Sequence, residues 1–96
     1  MKKVMLICNA GMSTGILAKK IEAASNNSLK VSAYSESEYV DYLSDIDLVL
    51  VGPQIRFLMP QIKQAISVPV HAISPVKYGM MDGKAVFEDI QKLIEV

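Results

Sequence analysis

Tryptophan is absent from the 96-residue chain, and cysteine, histidine and arginine occur once each, as Cys8, His71 and Arg56. A single cysteine excludes an internal disulfide and a CxxC redox pair. With one histidine beside it, a Cys/His metal cluster cannot be assembled, so neither a metal nor another cofactor is expected. Excess charge of one sign is also missing. Ten Lys and Arg balance ten Asp and Glu, the net charge is zero, and no basic run reaches five residues, which argues against nucleic acid as a partner. Long apolar runs are lacking as well. The longest, Val4 to Cys8, has five residues, whereas a membrane span needs about 20 and a signal-peptide core about 7 to 15. The expectation is a cytoplasmic protein that does not insert into a membrane.

What the chain does have is apolar material, 51% of its residues. At this length, folding buries roughly 60 to 68% of the unfolded surface around one core. A single domain over residues 1–96 is therefore expected, without linker or internal repeat. Short apolar runs alternate with helix-period stretches from end to end, the pattern of an α/β domain with a parallel sheet. Four strands are expected at Lys3–Cys8, Leu29–Tyr34, Asp47–Val51 and Val70–Ile73. The first and third are continuously apolar, as in central strands covered on both faces.

Leu17, Ile21 and Ala24 fall on one face of a first helix expected from Thr14 to Ala24. Ser35 and Glu38 have capping-box spacing, which predicts a second helix over Ser35–Leu43 with Tyr39, Val40 and Leu43 inward. Ile55, Leu58, Met59, Ile62 and Ile66 keep a helical spacing, and Pro60 fits only a first turn, so an irregular turn after Pro53 should lead into a helix. Val86, Ile90, Leu93 and Ile94 mark the last helix. Right-handed crossovers order the four strands most simply as 2-1-3-4, with helices on both faces. Winding then reverses between strands one and three, and ligand chemistry in such sheets gathers there, outside the carboxyl ends of the strands. Cys8 ends strand one.

After Cys8 comes Asn9-Ala10-Gly11-Met12-Ser13-Thr14, a small and polar loop opening into the first helix. A helix N-terminus and converging backbone N–H groups make an anion cradle, and their field favours a thiolate as it favours phosphate. Gly11 is free to take unusual backbone angles, while Ser13 or Thr14 can cap the helix or donate a hydroxyl. A lone cysteine at a strand end is more often a buried small hydrophobe. The cradle behind it favours a nucleophile that receives a phosphoryl group. A Walker A loop is excluded, since no Gly-Lys-Ser/Thr follows the first strand.

Three blocks, Cys8-Asn9-Ala10-Gly11-Met12-Ser13-Thr14, Val51-Gly52-Pro53-Gln54-Ile55 and Tyr78-Gly79-Met80-Met81-Asp82-Gly83, closely resemble the IIB component of the bacterial sugar phosphotransferase system, lactose/cellobiose/chitobiose branch. The resemblance runs along the whole chain in order. It implies a protein-phosphocysteine sugar phosphotransferase in which Cys8 accepts phosphate from a phosphohistidine on the IIA component. Cys8 then passes that phosphate to a sugar, cellobiose or a related disaccharide, moved by the membrane component IIC. It further implies that Asn9, Ala10, Gly11, Met12, Ser13 and Thr14 bind the phosphate.

The same loop geometry resembles the low-molecular-weight tyrosine phosphatases, which share the expected fold and whose pattern is Cys, five residues, Arg and then Ser or Thr. Here Thr14 occupies the arginine position. An arginine clamps a transferring phosphoryl group bidentately, so its absence favours holding phosphate over hydrolysing it. A phosphatase or arsenate reductase is the enzymatic rival, disfavoured by the missing arginine and the missing second cysteine. A regulatory IIB relative is the binding-class rival.

Among the remaining residues, His71 reads as an ordinary strand histidine in preference to a second phosphate acceptor. Asp82 reads as the N-cap of the last helix in preference to a general acid. Arg56 reads as a solvated charge. Gln54, Tyr78, Met80 and Met81 are expected to form a docking rim around Cys8, where adaptable Met side chains suit two successive partners.

Overall fold

The computed structural model describes residues 1–9 and 12–94, and of Met12 and Ser13 the backbone alone. Its strands are β1 (Lys2–Cys8), β2 (Leu29–Ser35), β3 (Leu48–Val51) and β4 (Val70–Ala72). They form one parallel sheet in the order β2-β1-β3-β4, the expected arrangement. Lys2 to Cys8 pair with Leu29 to Ser35, and Val4 to Ile7 pair with Leu48 to Val51. Just before β3, the Lys3 N–H donates to Asp47 Oδ2 and the Asp47 N–H to the Lys3 carbonyl, each at 2.8 Å, which pins the entry of β3 to β1.

Strand alternation divides the core into two layers. Val4, Leu6, Leu48 and Leu50 face α1 (Met12–Ala24) and α4 (Gly83–Leu93), against Leu17, Ala18, Ile21, Val86 and Ile90. Met5, Ile7, Val49 and Val51 face the other way. There they meet Tyr39, Ile55 and Ile62, carried by a 3-10 turn (Tyr39–Tyr42), a second one (Pro53–Leu58) and α2 (Met59–Ala65). Leu17, Ile21 and Ile90 are wholly buried, and each such side chain contributes about 1.5 to 3 kcal/mol of transfer free energy. Both faces of the sheet are thus covered. The switch in winding lies between β1 and β3, beside Cys8.

Three expectations are corrected. The helix over Ser35–Leu43 shrinks to the turn Tyr39–Tyr42, because Ser35 still belongs to β2, level with Cys8. The Ser35 hydroxyl donates to Glu38 Oε1 at 2.7 Å, so the two side chains satisfy one another instead of capping backbone N–H groups. Tyr39 packs inward and Leu43 is half-buried, but Val40 is 53% exposed, since a single 3-10 turn turns only one of its residues to the core. Leu93 also stays exposed, at the end of α4. Tyr78 and Gly79 lie in a short helix, α3 (Pro75–Gly79). Ser74 caps it and Pro75 starts it, a common way to begin a helix.

The region around Pro60 conforms to expectation. Ile55 has non-helical angles (φ −121°, ψ 23°) where the irregular turn was expected, and Pro60 occupies the first turn of α2.

Candidate functional site

β1 delivers Cys8 to the carboxyl edge of the sheet and fastens it there from both sides. The Glu36 N–H donates to the Cys8 carbonyl at 3.0 Å, and the Gly52 N–H to the Ile7 carbonyl at 2.8 Å. Cys8 is a free thiol and only 2% exposed. Gly52 leaves room beside it: a Cβ on Gly52 would sit 3.6 Å from Cys8 Cβ and 3.2 Å from Gln54 Oε1. The Gln54 and Cys8 side chains therefore both lie beside the same glycine.

Asn9 is exposed in a bend immediately after β1. Ala10 and Gly11 lie outside the described residues, as do the side chains of Met12 and Ser13, so the cradle expected from those four residues is not described. The backbone of Met12 opens α1, two residues ahead of the expected start. Thr14, in the first turn of that helix, is 1% exposed, and its Oγ1 lies 2.9 Å from the Tyr78 hydroxyl. The hydroxyl at the position of the phosphatases' arginine is thus paired with a residue 64 positions away. No spacing rule links the two, since the contact joins the β1–β2 crossover to the segment that follows β4.

Tyr78 is held from several directions. Lys77 Nζ donates to both oxygens of Asp89, at 2.8 and 2.7 Å, tying α3 to α4. Both partners are over a third exposed, so this ion pair adds little stability and serves chiefly to orient. Met81 has a left-handed backbone (φ 52°), uncommon for a residue with a side chain, and Asp82 then caps α4 by accepting the Ala85 N–H at 3.0 Å. The N-cap role expected for Asp82 is the one its carboxylate plays. Gly83 brings α4 against α1 so closely that a Cβ would fall 2.6 Å from the carbonyl carbon of Lys20.

Of the residues expected to form the rim, Met80 is 71% exposed and Gln54 is exposed, whereas Tyr78 and Met81 are half-buried against the core. Two exposed apolar residues were not singled out in the sequence: Phe57, in the turn after β3, and Val76, on α3, are 75% and 68% exposed. The available signal was negative, because Phe57 falls off the buried spacing of Ile55, Leu58, Met59 and Ile62. Arg56 is exposed in the same turn. His71 is exposed on the edge strand β4, level with Leu50 and separated from β1 by β3.

A cleft of about 300 Å³ lies elsewhere, over β2 and the turn that follows it, lined by Lys3, Lys30, Asp41 and the stacked rings of Tyr34 and Tyr42. It does not include Cys8. Among the described residues no group of three His, Cys, Asp or Glu side chains could hold a metal ion, and no helix is long and apolar enough to cross a membrane. The chemistry the carboxyl edge offers is that of one thiol just before the N-terminal turn of a 13-residue helix, and in that turn the Thr14 hydroxyl paired with that of Tyr78.

The model of the lactose/cellobiose-specific IIB subunit of the PTS system matches residues 3–89. The oligo-beta-mannoside-specific EIIB component of the PTS system of Bacillus subtilis (strain 168) is 30% identical, over 98% of this chain and 97% of that protein. The cellobiose-specific EIIB component of Lactococcus lactis subsp. lactis (strain IL1403) is also 30% identical, over 97% and 96%. Among solved structures, the lactose-specific IIB component domain from Streptococcus pneumoniae has the same fold, with a TM-score of 0.76 over 95% of each chain at 19% identity. The cellobiose-specific phosphotransferase IIB component from Borrelia burgdorferi aligns with a TM-score of 0.65 at 28% identity, over 91% of this chain and 85% of that one. Matched in this way along nearly its whole length, the chain belongs to the lactose/cellobiose-specific IIB family of the phosphotransferase system, sugar phosphotransferases that work with IIA and IIC partners.

Proposed function

We propose that this IIB component is a cytoplasmic, single-domain phosphoryl carrier whose acceptor is Cys8. The observation that carries the reading is the place of the sole cysteine, at the end of β1 where the winding of the sheet reverses and just before the N-terminal turn of α1. The Cys8 thiolate attacks the phosphorus of a phosphohistidine on IIA. The S–P bond forms as the N–P bond breaks, and the imidazole keeps the electron pair. A sugar hydroxyl held by IIC then attacks the same phosphorus, and sulfur leaves as thiolate while a base in the acceptor's site takes the hydroxyl proton. Asn9 to Thr14 hold the phosphoryl oxygens between the two steps with N–H and O–H groups. No arginine occupies position 14, so positioning by the partner governs transfer, and water lacks the clamp that speeds hydrolysis in phosphatases. Burial of Cys8 works in the same direction.

The relatives are named for oligo-beta-mannoside, cellobiose and galactose. We take the sugar to be cellobiose or a related disaccharide, with the choice made mainly by the membrane component. Docking uses the rim of Gln54, Tyr78, Met80 and Met81, extended by Phe57 and Val76. Its exposed apolar side chains suit an interface that must form and separate in each cycle, with a total area near the lower limit of about 1,200 Å². On incubation with phosphoenolpyruvate, the general phosphotransferase proteins and IIA, the intact mass should rise by one phosphate. Met80→Glu should slow that uptake about tenfold without lowering the melting temperature, because a charge replaces an exposed apolar contact. Equal rates for the variant and the wild type would remove Met80 from the docking surface.

A further inference from the structure

We propose that Tyr78 is a positioning residue for phosphoryl transfer: its hydroxyl donates to Thr14 Oγ1 and so turns the single Thr14 proton toward the phosphoryl group on Cys8. The proposal rests on the carrier reading of Cys8 and gives α3 a part in it.

The two hydroxyl oxygens lie 2.9 Å apart, and either could donate. Each hydroxyl has one proton, so within the pair one proton is used and the other remains free. The choice decides what Thr14 can do. If Thr14 donates to Tyr78, it meets an anion only with lone pairs. If Tyr78 donates, the Thr14 proton is available to a phosphoryl oxygen, which can only accept. Two facts favour the second order once the phosphate is bound. A phenol is more acidic than an aliphatic alcohol and so is the better donor. A hydrogen bond accepted at Oγ1 also polarises the Thr14 O–H, and such chains strengthen one another in a low-dielectric surrounding. At 1% exposure, Thr14 has little access to water that could replace Tyr78. Among the described residues no buried side-chain nitrogen or oxygen is left without a partner.

The framework holding Tyr78 is closed on itself. Thr14 lies on α1, α4 is pressed onto α1 at Gly83 and Lys20, Asp89 of α4 holds Lys77 of α3, and the next residue is Tyr78, whose hydroxyl returns to Thr14. A rim residue needed only for contact with a partner would require no such ring. The ring fixes the phenol oxygen against the buried Thr14 hydroxyl in the first turn of α1, an arrangement suited to orienting a proton.

A double-mutant cycle tests the relay in protein phosphorylated through IIA. The variants are Tyr78→Phe, Thr14→Val and the pair together, with Thr14→Ser as the conservative control. The readout is the pH midpoint of the phosphoryl group's second ionisation, followed by 31P NMR. Tyr78→Phe should raise that midpoint by about half a unit, since the dianion loses part of its donor, and Thr14→Val should raise it by about one unit, within the range of a hydrogen bond to a charged group. In the Thr14→Val background Tyr78→Phe should add nothing, because its effect passes through the missing hydroxyl. Thr14→Ser should restore the dependence on Tyr78, and it keeps the test available if Thr14→Val does not fold. A purely structural tyrosine would lower the melting temperature without moving the midpoint. An unmoved midpoint in Tyr78→Phe, or equal shifts in both backgrounds, would overturn the relay. Failure of the wild type to take phosphate on Cys8 would instead overturn the carrier reading and the relay with it.

Discussion

Cys8→Ser is expected to lose phosphate acceptance by on the order of 10³-fold or more while remaining folded. Serine is a weak nucleophile unless a neighbouring base removes its proton, and the described residues offer none beside position 8. Asp82 is engaged in capping α4, and His71 is exposed on the far edge strand. An aliphatic hydroxyl stays protonated at neutral pH, so serine would present a neutral alcohol, a weaker nucleophile than cysteine. Serine keeps the shape of the cysteine side chain and is the smaller of the two, so the fold should survive at a cost of about 1 kcal/mol, the ordinary scale of a point substitution. Phosphate uptake followed by intact mass, beside thermal melting, separates the two effects. A serine variant that takes up phosphate within tenfold of the wild-type rate would show that the thiol is not the acceptor.

The largest expected effect on stability is that of Gly83→Ala. A methyl at this position would lie 2.6 Å from both the carbonyl carbon and Cβ of Lys20 and 2.8 Å from its carbonyl oxygen. Two of these three atoms are backbone inside α1 and cannot swing aside, so α4 must move away. Overpacking of this kind typically costs about 1 to 3 kcal/mol, and the better helix propensity of alanine recovers at most about 1 kcal/mol. Each kcal/mol corresponds to roughly 4 to 8 °C in a domain of this size, so a drop of about 10 °C is expected by calorimetry. Phosphate transfer should slow as well, because displaced α4 carries Asp82 and Asp89 with it and loosens α3. An unchanged melting temperature would mean that the two helices do not approach as closely as their glycine permits.

The strands and their order could be read from the chain because β1 and β3 are apolar on both faces, a pattern that only a central, doubly covered strand explains. Cys8 followed as the residue at the winding reversal. The helix expected at Ser35–Leu43 failed for a local reason: capping-box spacing is three residues long, and β2 had already claimed Ser35 for its pairing with Cys8. Tyr42, the last residue of the 3-10 turn, stacks on Tyr34 with ring centroids 4.2 Å apart. Thr14 and Tyr78 were each visible as site residues, but their pairing was not, since hydrogen bonds between distant connections leave no periodicity. Gly83 was visible only as the last residue of the block Tyr78 to Gly83, ahead of the last helix. Its closeness to Lys20 depends on how two helices packed on one face of the sheet approach one another, which no local spacing records. The exposed Phe57 and Val76 went unremarked because a lone apolar residue off a helical stripe looks no different from ordinary surface.

The most direct test of the carrier reading is to locate the phosphate. The protein, phosphorylated through IIA and digested at a pH that preserves the linkage, is mapped by tandem mass spectrometry, with the 31P resonance of the intact protein as a second assignment. The account predicts a single phosphate on the peptide containing Cys8, a phosphothiol resonance, and loss of both when the phosphoprotein is mixed with IIC-containing membranes and an accepted sugar. A phosphate on His71, or one retained after Cys8→Ser substitution, would contradict it.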